Sequence, residues 1–346
     1  NISLDMKSIL VIHPYFGRFP KMFPFWLESC KLNKTVDILI VTNQDIQSDS
    51  DNIIIKKSSL TQVKSELEAI CGMNIWLEKP YKLCDFRPLF GKLFSEYTQK
   101  YDFWGYCDCD LVFGDIRHFL TEEVLNNHDY ILGWGHFHVQ RTIDSKFDEV
   151  WRTARGLWRN IGWKDVFASG QNEWFDELPY GVAGRYYGLY PDRCWMGYTD
   201  NHAIFESPAL SQLPFQSLFN DYTLWKSWSC YQDHLNRLPF LKRNEGGDLH
   251  HIIYQKEGIH LFTIGINQEN RIEKREILYA HFYKRNLDIR ISNKSIFIIR
   301  PNAIVDCTHL SKYILMYYAH HPSIYWENIL YRINRKLGTL KKKYLK

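Results

Sequence analysis

A chain of 346 residues is long enough to bury a large core, either as one big α/β domain or as a domain with an attached lobe. Charged residues at 24% and apolar residues at 45% exclude a disordered chain, and a formal charge of +4 is too small to point to nucleic acid. Eight scattered cysteines with no CxxC pair argue for reduced thiols in a cytoplasmic protein, against a disulfide scaffold or a structural zinc site.

Aromatic residues make up 16% of the chain, a composition that suits stacking on bases or sugars; codon bias in an AT-rich genome explains it equally well. No basic segment followed by an apolar one marks a signal peptide. No apolar run approaches the ~20 residues that span a bilayer. The expectation is a soluble protein.

In chain order, "SILVIHPYF" (8–16) is a continuous apolar run that predicts a strand buried on both faces. "KMFPFWLESCKLN" (21–33) predicts a helix with a proline in its first turn, and "VDILIVTN" (36–43) a second buried strand. "SSLTQVKSELEAICG" (58–72) is a helix with a Ser or Thr cap at its start and a glycine at its end. "RPLFGKLFSEYTQKY" (87–101) predicts another helix, running into the aromatic strand "DFWGYCDCD" (102–110). Strands alternating with helices predict an α/β fold with a mixed, mostly parallel sheet flanked by helices.

Further on, "DYILGWGHFHVQRT" (129–142) contains strand-like stretches, and 258–265, 275–283 and 295–300 read as late strands. One domain is expected over 1–305, with a nucleotide-binding half at about 8–116 and an acceptor half at about 117–305, followed by a helical tail over 306–346. In that tail Ile324, Ile329, Ile333, Leu337 and Leu340 recur at roughly helical spacing among many lysines and arginines. Such a helix either lies on an anionic membrane surface through 323–346 or packs on its own domain.

Asp108 and Asp110 close the aromatic strand, where strand alternation points both carboxylates to one side. Ligands of open α/β sheets bind outside the carboxyl ends of strands. Two like charges there repel each other unless a cation intervenes, and Mg²⁺ or Mn²⁺ takes one or two carboxylates together with substrate phosphates. An EF-hand loop is excluded because Val112 and Phe113 occupy its interior. A phosphatase-type aspartate is disfavoured because two strands already precede the pair.

The order strand, helix, strand, helix, then an aromatic run ending in D-x-D resembles the GT-A glycosyltransferases, which bind a nucleotide sugar through a divalent ion. "KPYKLCDFRPLFGKLF" (79–94), "DFWGYCDCDLVFGDI" (102–116) and "HFYKR" (281–285) more closely resemble an uncharacterised bacterial family found among genes for capsule and lipopolysaccharide sugars.

This resemblance, which runs from about 8 to 290, implies a GT-A fold in which Asp108 contacts ribose or metal and Asp110 coordinates the metal. By likeness to retaining GT-A enzymes, His281 is a third ligand and Lys284 binds the diphosphate; the glycine and Pro-Trp usual in that motif are missing here. The loop with Pro14, Tyr15, Phe16 and Gly17 would hold base and ribose, the alternative being an ordinary aromatic turn.

Asp85, Arg87 and Lys92 are candidates for the diphosphate or donor sugar, with a plain Asp–Arg pair as the alternative. His136, near His138, borders the donor sugar in such folds, and zinc there lacks a third ligand. Glu173, Asp176 and Glu177, beside Trp174, are candidates for gripping the acceptor sugar or acting as general base, or form an exposed acidic turn.

The implied function is metal-dependent transfer of a sugar from a nucleoside-diphosphate donor, UDP above others, to a saccharide or lipid-linked acceptor, with a weak lean to retention. A nucleotidyl or phosphoryl transferase would need more carboxylates or a glycine-rich loop. A non-catalytic carbohydrate-binding or scaffolding protein is the alternative from another class.

Overall fold

The structure is a computed structural model that describes residues 6–143, 146–177, 181–195, 203–204, 251–266, 272–276, 278–282, 288–292, 294–300 and 303–306. The basic tail beyond 306 and Lys284 lie outside the described residues. Among the described residues no helix is long and apolar enough to cross a membrane. The chain divides into two compact units, one of 1–109, 116–198 and 215–232, the other of 110–115, 199–214 and 233–346.

The first unit is built on the buried runs. Ile9–Tyr15 (β1), Asp37–Thr42 (β2), Ile53–Lys57 (β3) and Phe103–Cys107 (β4) pair in parallel in the spatial order β3-β2-β1-β4. Ile9, Leu10, Val11 and Ile12 are sealed because β1 lies inside the sheet and is covered on both faces. Each such side chain contributes roughly 1.5–3 kcal/mol relative to exposure.

Three strands, not two, precede β4, the strand that leads into the aspartate pair. The third, β3, is half-buried, and its Ile-Ile-Ile-Lys-Lys run was legible but short. Leu111–Phe113 (β5) belongs to the second unit. Tyr130–Trp134 (β6) and Phe137–Arg141 (β7) form a hairpin that extends the first sheet antiparallel to β4, and Cys194–Trp195 (β8) closes it beside β6. Four parallel and two antiparallel pairings make the seven-stranded sheet mixed and mostly parallel.

The helices obey their caps. Leu60–Cys71 starts where Ser59 accepts from the Gln62 N–H and stops at Gly72 in the left-handed region (φ 67°). Phe23–Leu32 carries Pro24 in its first turn, where a missing N–H costs no helical bond.

The helix expected over 87–101 is different. A 3₁₀ segment, Pro80–Leu89, passes into two short turns, Phe90–Leu93 and Ser95–Thr98. Pro88 removes a backbone donor there. Gly91 packs so tightly that an added Cβ would lie 2.5 Å from the Trp104 ring. The same segment buries Lys82, Asp85 and Arg87; Lys82 and Asp85 pair with each other, and all three also bond groups far along the chain.

The second unit holds two sheets. Ala203–Ile204 (β9), β5 and Tyr279–His281 (β13) form a small one in which β13 runs antiparallel to β5, with His281 opposite Leu111. The other comprises His251–Gln255 (β10), His260–Ile266 (β11), Ile272–Glu276 (β12), Asp288–Arg290 (β14), Ile296–Arg300 (β15) and Ala303–Asp306 (β16). The run 275–283 expected as one strand is divided between β12 and β13.

Candidate metal and donor site

β4 delivers Asp108 to the carboxyl end of the first sheet, and its neighbours pin it there. The His13 ring on β1 lies with Nδ1 2.8 Å from the Cys107 carbonyl, and the Asp108 N–H donates to the His136 carbonyl at 2.9 Å. Gly105, mid-strand, is obligatory: an added Cβ would stand 2.0 Å from the His138 carbonyl on β7.

Arg87 organises the carboxylates of this unit. Its Nη2 donates to Asp108 Oδ1, and its Nη1 donates to Asp176 Oδ2 at 3.0 Å and to the Gly135 carbonyl. The guanidinium lies 5.3 Å from the centre of the Tyr106 ring. Planar forked donors allow one arginine to hold two acids at once. Asp176 is fully buried, and burial pushes its carboxyl up to about 6 against the opposing pull of Arg87.

Two further acids of the sequence reading are buried in contacts of their own. Asp85 accepts from Lys82 Nζ at 2.7 Å and from the N–H groups of Glu173 and Phe175 at 2.9 and 3.0 Å. Burial raises its carboxyl pKa despite the pull of Lys82. Glu173 accepts from Arg159 Nε at 2.5 Å. Glu177 is half-buried and packs where a side chain on Gly135 would sit, 2.1 Å from that position, so Gly135 leaves its space to a carboxylate.

In the loop after β1, Gly17 adopts φ 108°, a conformation side chains disfavour, and donates its N–H to Asn43 Oδ1 at 3.1 Å. Tyr15 is half-buried and stacks on Phe19 at 5.0 Å; Phe16 is buried and Pro14 half-buried. Lys92 is exposed.

The second aspartate belongs to the second unit and stands in the bend just before β5. The Asp110 carbonyl accepts from the Phe282 N–H at 2.9 Å, and His281 Nε2 lies 3.5 Å from Asp110 Oδ1. β5–β13 pairing therefore sets His281 against Asp110, while the single residue Cys109 sets the spacing of the two aspartates. One ligand atom each from Asp108, Asp110 and His281 lies within 4.8 Å of the others.

Two carboxylate oxygens and an imidazole nitrogen form a donor set that fits a divalent ion such as Mn²⁺ or Mg²⁺. A carboxylate has about four lone-pair sites, so pairing with Arg87 leaves Asp108 able to serve a cation as well. The six cysteines described are free thiols, and Cys107 and Cys109 are both buried.

Sequence reading passed over Lys82, His13, Trp158 and Arg159. Lys82 carried a signal, three residues before Asp85 in the same motif. The other three carried none, because their partners are set only by packing.

Fold and site together define an α/β protein with an Asp-x-Asp and histidine cluster competent for a divalent ion. Over residues 11–308 the chain matches the family described as "Family of unknown function (DUF6625)", and it belongs to that family.

No curated protein matches it in sequence. Among solved structures it is similar to galactosyltransferase LgtC in complex with donor and acceptor sugar analogs, at 10% identity and TM-score 0.37, over 68% of this chain and 98% of that one. It is also similar to a glycosyltransferase involved in glycosylation of the major capsid of PBCV-1, at 10% identity and TM-score 0.31, over 66% and 98%. A third is the apo-form glycosyltransferase GlyE of Streptococcus pneumoniae TIGR4, at 11% identity and TM-score 0.34, over 69% and 55%.

Proposed function

We propose that the protein is a metal-dependent glycosyltransferase of GT-A type. It would move a sugar from a nucleoside-diphosphate donor, UDP-linked, to a saccharide or lipid-linked glycan acceptor in bacterial surface polysaccharide synthesis. The observation that carries the reading is the cluster of Asp108, Asp110 and His281 at the end of the buried strand.

Glycosyl transfer needs a departing diphosphate stabilised while the anomeric carbon gains positive character, and a bound divalent ion supplies that electrostatic work. The chain's own residues do the rest. Arg87, anchored by buried Asp176, keeps Asp108 turned to its task and adds positive charge beside the diphosphate position. Lys284, three residues after His281, is the second cationic group assigned to the diphosphate.

The loop Pro14–Gly17 receives base and ribose, with Tyr15 as the stacking face, and Lys92 and His136 border the donor. Glu177 is the carboxylate assigned to the reacting sugar or acceptor hydroxyl, since Glu173 and Asp176 are sealed in ion pairs. The chemistry leans to retention. The tail over 323–346 is assigned to peripheral contact with the inner face of the cytoplasmic membrane.

A thermal-shift series with UDP, GDP, ADP and CMP, each with and without Mn²⁺, tests the reading. Stabilisation that requires nucleotide and metal together, and that disappears in Asp110→Asn with the fold retained, is the expected result. No response to any nucleotide in the wild-type protein overturns it.

A further inference from the structure

Trp174 has φ 52°, in the left-handed region that a bulky residue rarely adopts. Its neighbours on both sides hold it there. The N–H groups of Glu173 and Phe175 both donate to the buried carboxylate of Asp85, which Lys82 Nζ, itself buried, partners at 2.7 Å.

The segment carrying Trp158 is fastened to the same point. Arg155 and Gly162 form an antiparallel bridge, Asn160 turns the loop at φ 51°, and the Leu157 N–H donates to the Glu173 carbonyl at 2.6 Å. Arg159 Nε donates to the fully buried Glu173 carboxylate, and Arg159 Nη2 reaches Ser169 Oγ at 2.6 Å.

The product of these contacts is a pair of indoles on the surface. Trp158 is 50% exposed, and its ring lies 4.9 Å from that of Trp174 at an interplanar angle of 56°. A core packing role does not account for this: a half-exposed tryptophan needs no strained backbone or buried ion pairs behind it.

We infer that Trp158 and Trp174 form a rigid aromatic platform that receives a pyranose ring of the glycan acceptor. A pyranose has one face of C–H groups that lies against an indole and a rim of hydroxyls that needs polar partners. Exposed Arg155, Asn160 and Gln171 supply that rim in sequence beside the two indoles. Two tilted rings also match a sugar better than a flat base, which stacks on a single face. Trp174 stands two residues before Asp176, the anchor of Arg87, so the platform lies within ~7 Å of chain from the network that orients Asp108.

The acceptor role rests on the transferase reading; binding of a saccharide does not. Saturation-transfer NMR with lactose, maltose, cellobiose and N,N′-diacetylchitobiose at millimolar concentration tests it on the full chain. Ring C–H protons of at least one disaccharide are expected to receive saturation. That signal should fall by about fivefold or more in Trp158→Ala, a half-exposed position where folding is checked by circular dichroism, and return in Trp158→Phe.

Absence of signal from all four sugars, or a signal unchanged in Trp158→Ala, overturns the platform. The nucleotide and Mn²⁺ thermal shift separates the two ideas. A shift without sugar signal removes the platform and leaves the transferase. A Trp158-dependent signal without any nucleotide shift confirms the platform as a carbohydrate site and removes the transferase.

Discussion

Asp176 lies fully buried 3.0 Å from Arg87 Nη1, and the same guanidinium donates from Nη2 to Asp108. One side chain thus joins an acid closed to water with an acid at the strand end. The first is sealed in the core, while the second keeps about a third of its side chain exposed.

Arg87→Met leaves both carboxylates without their cation and should destabilise the fold by about 3–5 kcal/mol, because a buried charge loses its partner. Arg87→Lys, a point charge instead of a fork, should keep one contact and lose the other. Chemical denaturation of Arg87→Met, Asp176→Asn and the double variant checks this. The double variant should cost less than the sum of the singles, by about 0.5–3 kcal/mol. Additive losses would show that the pair does not act as a unit.

Mn²⁺ binding should depend on each of the three clustered residues. Titration followed by electron paramagnetic resonance should show affinity lowered at least about tenfold, ~1.4 kcal/mol, in Asp110→Asn, Asp108→Asn and His281→Ala. Cys109→Ser, between the aspartates but not among the ligands, should leave the affinity near that of the wild type. Equal Mn²⁺ binding in all four variants would place the ion elsewhere.

His138 is buried on β7, with its ring nitrogens 3.0 Å from the Ile131 carbonyl and from Gln140 Oε1, and burial pushes its pKa down to about 4. A histidine with a depressed folded pKa contributes stability that is complete above its unfolded value of about 6.5 and is lost as pH falls toward 4. The window is worth roughly 3 kcal/mol at 1.36 kcal/mol per unit. Melting curves from pH 7 to pH 4 should therefore fall more steeply for wild type than for His138→Gln. Asp176 has the opposite sign: its raised pKa, about 6, gives a contribution present below ~3.8 and lost as pH rises through 6. Parallel curves for wild type and His138→Gln would show that His138 does not carry the acid sensitivity.

Gly105→Ala should be among the most damaging small substitutions in the chain. The added methyl meets the His138 carbonyl at 2.0 Å, a backbone atom in a paired strand that has no rotamer to yield. Destabilisation of about 1–3 kcal/mol or more is expected from urea unfolding. Gly162→Ala, where an added Cβ meets nothing within 4 Å, is the control and should change stability by less than ~1 kcal/mol.

Much of the fold is written locally. Continuous apolar runs mark β1, β2 and β4 because a strand covered on both faces cannot carry polar residues. Ser59 and Gly72 announce the ends of their helix because capping is chemistry between near neighbours. The aspartate pair is legible for the same reason, since its placement at a strand end needs only the strand.

The acids downstream were a different matter. Glu173, Asp176 and Glu177 read as equivalent in a tryptophan-flanked turn, yet burial and long-range pairing give each a separate environment. Asp85 reaches Glu173 across 88 positions and Arg87 reaches Asp176 across 89, so no local periodicity records either contact. The helix expected over 87–101 failed on the same point, because a segment that must bury Lys82, Asp85 and Arg87 against distant partners cannot keep a regular amphipathic face.

By itself, then, the sequence determined the buried strands, the capped helices and the position of Asp108 and Asp110, all consequences of neighbouring residues competing for water or for each other. Tertiary structure alone decided that Arg87 joins Asp108 to Asp176 and that Trp158 meets Trp174, and it supplied the β5–β13 pairing that sets His281, expected from the resemblance, against Asp110. Those are contacts between chain segments far apart in sequence, and only the packed core brings such segments within reach.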